Sequence, residues 1–474
     1  MEASDVPTAL QPLGAAGGPE RRRFAFLGAA ALVSVGYFDP GNWATDLEGG
    51  ARYGYQLLWV LVLSGVIATL LQTLSARLGM VSGLNLAAAC RVYYPRSLRI
   101  PLWLLAEVAI VACDLAEVLG SAIALNLLFG LPLLAGTLLT AGDVLLILAL
   151  QRQGTRRIEI LVMGLVLVVG VCLGVQLLLV RPDLAAVSRG LLPSLPGESL
   201  FIAIGILGAT VMPHNLYLHS AIVPKRDASH RRADQAQRLR RAFASTAFAL
   251  SVALLLNVAI LVMAAAVFST RSIEVTSLAD AHRMLTPLVG TSAAAALFAV
   301  ALLCSGQSST ITGTLAGQVV MEGFVQLRLP PAARRALTRA IAIVPAVVVL
   351  AVVGERGTMP LLLVSQVVLS MQLPFAIIPL IRFTGSAEIM GRFANRAPIQ
   401  ALAIGCAVLI ICANAWLISK FIASWYGEFP LLAGVLGAVA ALALALIATI
   451  IVVPLRARTS QRQAELSELN LGGA

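Results

Sequence analysis

Two short stretches of this 474-residue chain place metal-ligating side chains beside a helix-breaking proline. One reads Gly36-Tyr37-Phe38-Asp39-Pro40-Gly41-Asn42-Trp43, the other Ala209-Thr210-Val211-Met212-Pro213-His214. Asp39 offers a hard anionic oxygen, Asn42 a neutral oxygen three residues on, and Met212 a soft thioether sulfur. Proline lacks an N–H and crowds the preceding turn, so a helix should unwind at each stretch, near 39–42 and 209–213. The carbonyls freed at Gly36 and Ala209 add oxygen. A mixed oxygen and sulfur set favours divalent transition metals over Ca²⁺ and Mg²⁺, which take oxygen alone. A single carboxylate leaves a divalent ion short of neutral and therefore able to depart. Transport requires that; a structural site does not. The competing reading of the first stretch is an ordinary Asp-Pro-Gly turn between helices, but apolar runs continue on both sides of it.

A second set of ionisable groups comprises Glu107, Asp114 and Glu117. The last two are three residues apart and so share a helix face. Arg334, Arg335 and Arg339 are candidate partners. These groups could simply tie helices together, yet several of them can change protonation inside a membrane, and a proton route is the stronger expectation. His214 is rotated about 200° from Met212 on a helix, which suits tuning of that route better than metal binding. His214 and His219 diverge by about 140°, unlike a zinc-binding pair at i and i+4, and this weakens a membrane-embedded metalloenzyme. Gln366 and Asn257 read from the residues alone as polar ties between helices.

The elements that carry these residues follow from composition. Hydrophobic residues make up 59% of the chain and charged residues 12%, against roughly 50% and 25% in soluble domains. Apolar runs near twenty residues recur, the length that crosses a bilayer. They predict twelve helices, over 25–47, 55–79, 100–129, 132–150, 158–180, 199–221, 241–268, 290–325, 336–353, 360–383, 399–420 and 430–454. With both termini inside, 26 of the 34 Lys and Arg fall in cytoplasmic segments and seven outside, with Arg77 near a helix end. That asymmetry fixes the orientation. It also explains the net charge of +11 without a nucleic-acid partner. The basic segment Lys225 to Arg241 reads as a cytoplasmic loop facing anionic lipid. Short tails are expected over 1–24 and 455–474. The six cysteines lack metal or disulfide spacing, and no Walker motif points to ATP.

Pro40 and Pro213 lie 173 residues apart, at matching points of the first and sixth spans. Five spans separate one copy from the next, and an odd number inverts the second copy. This is the inverted-repeat arrangement of secondary transporters, with the two broken helices meeting at mid-membrane. The expected architecture is all-α, with repeats over 25–180 and 199–383 and two further helices within 399–454.

At the level of motifs, Asp39-Pro40-Gly41-Asn42 and Met212-Pro213-His214 resemble those of the Nramp family, the natural resistance-associated macrophage proteins and their bacterial relatives. Supporting stretches are Glu48-Gly49-Gly50-Ala51-Arg52-Tyr53-Gly54-Tyr55 and Gly208 through Ser220, and the resemblance spans about residues 25 to 420. It implies the 5+5 inverted-repeat fold of the bacterial leucine transporter and proton-coupled import of Mn²⁺ and Fe²⁺, with Cd²⁺ and Co²⁺ also carried, by alternating access. It implies metal ligands at Asp39, Asn42, Met212 and the Gly36 and Ala209 carbonyls, joined by Gln366 in an occluded state. The family's proton route falls on Asp39, Asp114, Glu117, His214, Arg334 and Arg335. A monomer in a bacterial inner membrane, with no enzyme activity and no cofactor, completes the expectation. Relatives specialised for Mg²⁺ or Al³⁺ lack the methionine, so Met212 points to the manganese and iron branch. Gly36 stands where many members have Ala, and Cys113 where Thr is common. Other readings are an organic-solute or amino-acid symporter of the same fold, which would need a roomy site without sulfur, and a channel.

Overall fold

A computed structural model describes residues 28–142, 155–197, 199–223, 232–269, 275, 277–326, 330–426 and 430–456. The described residues are helical throughout, with no strand among them. The main helices are α1 (Gly28–Phe38), α2 (Pro40–Tyr53), α3 (Leu58–Ser82), α4 (Arg96–Phe129), α5 (Leu133–Leu139), α6 (Thr155–Val180), α7 (Leu200–Thr210), α8 (Pro213–Ile222), α9 (Arg232–Val267), α10 (Ser292–Val325), α11 (Pro331–Val352), α12 (Thr358–Gly385), α13 (Ala397–Trp425) and α14 (Pro430–Val452). Eleven of the twelve expected spans are seen. The fourth is described only as far as Gly142, and the tail expected over 1–24 lies outside the described residues, as does 455–474 beyond Arg456.

Both expected breaks are present, and they are shorter than the sequence suggests. The first is confined to Asp39, whose backbone is extended (φ −65°, ψ 170°) between the 3-10 turn Gly36–Phe38 and α2. Val211 and Met212 form the second, between α7 and α8. Pro40 and Pro213 are not unwound; each is the first residue of the following half-helix. Proline suits that position because its fixed φ is helical and the N–H it lacks would have had no partner there.

The packing has the symmetry of an inverted repeat. The half-helix after the first break, α2, packs on α9, and the one after the second, α8, packs on α3. Spans one and seven thus pair as spans six and two do. Likewise α4 packs on α12 while α10 packs on α6, and α4 and α10 pack on each other across the centre. The chain is a multi-pass membrane protein of the all-α, 5+5 inverted-repeat class, with α13 and α14 outside the repeat. Leu178 on α6 and Leu431, Leu442 and Val452 on α14 project as exposed apolar side chains. In a bilayer they face lipid.

The helix α9 begins at Arg232, so it reaches nine residues into what the sequence reading treated as a loop. The segment Arg232-Ala-Asp-Gln-Ala-Gln-Arg-Leu-Arg-Arg is rich in strong helix formers, which need no apolar surroundings to continue a helix. Its Gln235 amide donates to the Met80 carbonyl at 3.4 Å, tying this extension to α3.

Close backbone approach holds the first break against α4. A Cβ at Gly120 would run into the Pro40 ring. Small residues at such crossings are how membrane helices approach without a hydrophobic driving force. Gly120→Ala is expected to cost about 1–3 kcal/mol through overpacking and to lower the thermal midpoint of the detergent-solubilised protein. Gly164→Ala, on α6 with open space around it, should leave that midpoint unchanged or raise it.

Candidate metal site and adjoining polar route

In an unbroken helix the carbonyl of residue i accepts from the N–H of i+4. For Gly36 that residue is Pro40, and for Ala209 it is Pro213. Neither has an N–H to give, so neither carbonyl can make the i→i+4 bond of a continuous α-helix. Neighbouring carbonyls are satisfied by other helices: the Tyr37 carbonyl accepts from Asn257 Nδ2 at 2.6 Å and that of Phe38 from the Ser305 hydroxyl. These bonds clamp the turn from α9 and α10. Trp43, one turn into α2, stacks edge-on against Phe298 of α10 with ring centroids 5.1 Å apart, which fixes the second half-helix as well.

Asp39 is fully buried. Its Oδ1 accepts from the Asn42 backbone N–H at 2.8 Å and so caps α2. Its Oδ2 is left with only the Cys113 thiol, 4.0 Å away. Both side-chain atoms of Asn42 are buried without a partner. Three side chains join the two breaks. Asn215 of α8 lies against Gly36, where a Cβ would collide with it, and its Nδ2 is 3.5 Å from Met212 Sδ. Gln366 of α12 lies against Gly41 through its side chain and against Gly208 through its backbone carbonyl; its Oε1 is buried and unpartnered. Cys113 lies within reach of Asp39 in the first break and 3.6 Å from His214 Nε2 just beyond the second. Asn215, Gln366 and Cys113 thus bring the two breaks next to each other, with Asp39 and Asn42 on one side and Met212 on the other. Buried oxygens left without donors are costly, unless a cation takes them.

The ionisable groups continue from that point. Cys113 Sγ is 3.6 Å from Glu117 Oε1, which accepts from the Ser309 hydroxyl at 2.8 Å. Arg339 Nη1 lies 2.7 Å from Asp114 Oδ1 and 3.9 Å from Glu117 Oε2, all three groups being buried. Two turns back on α4, Glu107 takes a bidentate pair from Arg334, at 2.8 and 3.1 Å, and the Trp103 indole N–H at 2.8 Å. The placement assigns partners among the three candidate arginines, which the sequence left open. Arg334 serves Glu107, and Arg339 is the guanidinium beside Asp114 and Glu117. The order follows from geometry: the step from Arg334 to Arg339 is about 7.5 Å and from Glu107 to Asp114 about 10.5 Å, so side by side α4 and α11 match their charges in sequence. The side chain of Arg335 lies outside the described residues. The two histidines do not converge, since His219 Nδ1 bonds Gln72 Oε1 at 2.9 Å and Gln72 in turn donates to the Tyr37 hydroxyl.

Cys113, Ser309 and Asn215 were not picked out as site residues by sequence. No local pattern marks them, because each also contacts a helix more than seventy residues away in sequence, which spacing alone does not reveal.

A scan against family models matches residues 30–420 to "Natural resistance-associated macrophage protein-like". The chain is 53% identical over 405 residues to the divalent metal cation transporter MntH of Xanthomonas campestris, covering 84% of this chain and 91% of that one. Among solved structures, a variant of the Eremococcus coleocola manganese transporter superposes with a TM-score of 0.84 at 36% identity, covering 95% of this chain and 98% of the other. At 16% identity and a TM-score of 0.55, Mhp1, a nucleobase-cation-symport-1 family transporter, shares the fold over 90% of this chain and 92% of its own. With a family model matching most of its length and a relative 53% identical over 405 residues, this chain belongs to the Nramp family.

Proposed function

We propose that the protein is a proton-coupled secondary transporter that imports Mn²⁺ and Fe²⁺, and also accepts Cd²⁺ and Co²⁺, by alternating access across a bacterial inner membrane with both termini cytoplasmic. The divalent metal class is supported by relatives named as divalent metal cation and manganese transporters. The observation that carries the reading is the donor set at the crossing of the two breaks. Asp39 Oδ2, Asn42 Oδ1, Gln366 Oε1, Met212 Sδ and the carbonyls of Gly36 and Ala209 would supply oxygen and one soft sulfur, and of these Asn42 Oδ1 and Gln366 Oε1 are buried without a donor. An organic solute would need donors and space; a bare divalent ion needs acceptors.

The coupling follows from charge. A metal ion reaching Asp39 needs the carboxylate ionised, so a proton held there has to leave. Cys113, Glu117 and His214 are the groups nearest to receive or pass it, and Asp114 with Arg339 and then Glu107 with Arg334 continue a polar line along α4 toward its first turn. The Arg339 guanidinium keeps the Asp114 and Glu117 charges tolerable in a low-dielectric interior. Met212 acts in selectivity: a thioether gives little to Ca²⁺ or Mg²⁺ and more to Mn²⁺ and Cd²⁺.

Purified protein in liposomes tests this. Wild type should take up Mn²⁺ with acidification of the lumen, and Asp39→Ala should abolish uptake. Met212→Ala should narrow the preference for Mn²⁺ over Ca²⁺ by roughly tenfold, equivalent to about 1.4 kcal/mol; unchanged discrimination would remove the selectivity role. For the route, Asp114→Asn should keep calorimetric Mn²⁺ binding while metal-linked proton flux, read with a pH dye, falls sharply. Wild-type flux in that variant would place the route elsewhere. Loss of binding would make Asp114 part of the metal site.

A further inference from the structure

A second carboxylate on α2 has no part in the mechanism above. Asp46 is fully buried, and neither of its oxygens has a hydrogen-bond donor among the described residues. Other acids of this region are provided for. Glu48, two residues on, pairs with Arg52 at 3.4 Å near the end of α2. Asp39 caps α2, Glu117 holds Ser309, and Asp114 and Glu107 have arginines. A carboxylate in mid-membrane without a donor is expensive, and acids kept there despite the cost mark ion or proton pathways.

Its position gives it a direction. Asp39, Asn42 and Asp46 follow at spacings of three and four, and so form one stripe along the half-helix. Asp46 stands about 6 Å beyond Asn42 along the axis, away from the break and toward the end of α2 that the charge asymmetry assigns to the outer face. Both side-chain atoms of Asn42, between the two acids, are buried and unpartnered. One turn past Asp46, Gly50 lies against Leu261 and Ala264 of α9. This side of α2 therefore faces the α2–α9 seam. Asn257, four residues before Leu261 on α9, carries a buried Oδ1 without a partner. Buried acceptor oxygens on Asp46 and Asn257 thus continue beyond Asn42, whose own Nδ2 is also unpartnered.

We propose that Asp46 is an outer staging ligand for the transported divalent cation, holding it one helical turn outside the Asp39 site before it moves inward. Its partner is then the passing ion. The second negative charge on the stripe draws a hydrated divalent cation into the seam and lets water be exchanged for protein oxygen in two steps instead of one. This rests on the metal-transport reading and on the orientation given by the charge asymmetry.

Asp46→Asn tests it, because Asn has the shape of a neutral acid and lacks the charge. For Mn²⁺ presented at the outer face of liposomes, the KM of uptake should rise about tenfold, as expected when a focusing charge is lost, while the maximal rate and the calorimetric affinity of the Asp39 site are kept. Retained affinity also shows that the variant is folded; should Asn not be tolerated, Asp46→Ser gives the same comparison. Release from the inner face should keep its wild-type KM. A wild-type KM at the outer face would overturn the proposal and make Asp46 a neutral acid of the packing. Absence of Mn²⁺ uptake by the wild type would instead overturn the transport reading beneath it.

Discussion

A proline four residues after Gly36, and another four residues after Ala209, deprive two carbonyls of the only backbone donors an α-helix could supply. Most of the central architecture is a response to that constraint. Unsatisfied carbonyls cannot face lipid, so both breaks must be enclosed, and the helices α4, α9, α10 and α12 wrap them. At the first break the neighbouring carbonyls of Tyr37 and Phe38 are claimed by Asn257 and Ser305. The two halves pack as inverted copies, and each break is enclosed by helices of both.

The molecule treats its buried charges in two ways. Along α4, each acid has a guanidinium or hydroxyl: Glu107 with Arg334, Asp114 with Arg339, Glu117 with Ser309. Along α2, the acceptors of Asn42 and Asp46, and one oxygen of Asp39, lack such donors. Cys113 touches both systems, lying between Asp39, Glu117 and His214. It is where the two would exchange charge. A thiol in place of the family's more common threonine keeps a polar contact at that junction while weakening it, since S–H is a poor donor.

How far the site could be read from sequence depended on how local its physics is. Proline, glycine and an acid within a few residues of one another in an apolar run announce a broken span by themselves, so both breaks were legible, with Asp39, Asn42 and Met212 as candidate ligands beside them, and the repeat followed from counting spans between the breaks. Pairing across the fold was not. Arg334, Arg335 and Arg339 are equivalent by composition, and only the relative height of α4 and α11 assigns Arg334 to Glu107 and Arg339 to Asp114. Gln366 looked like an interhelical tie until its contacts with Gly41 and Gly208 put it over both breaks. The extent of unwinding was overestimated because proline was taken as a breaker, when at the first position of a half-helix it is a starter.

The central claim is that the two breaks together form one mixed oxygen and sulfur site for the transported ion. X-ray absorption at the cadmium edge, on purified protein loaded with one equivalent of Cd²⁺, reports the ligand atoms directly. The account predicts a shell dominated by oxygen with a sulfur scatterer that vanishes in Met212→Ala, and loss of the bound ion in Asp39→Ala. A shell of oxygen and nitrogen alone in the wild type, or a sulfur that survives Met212→Ala, would contradict it.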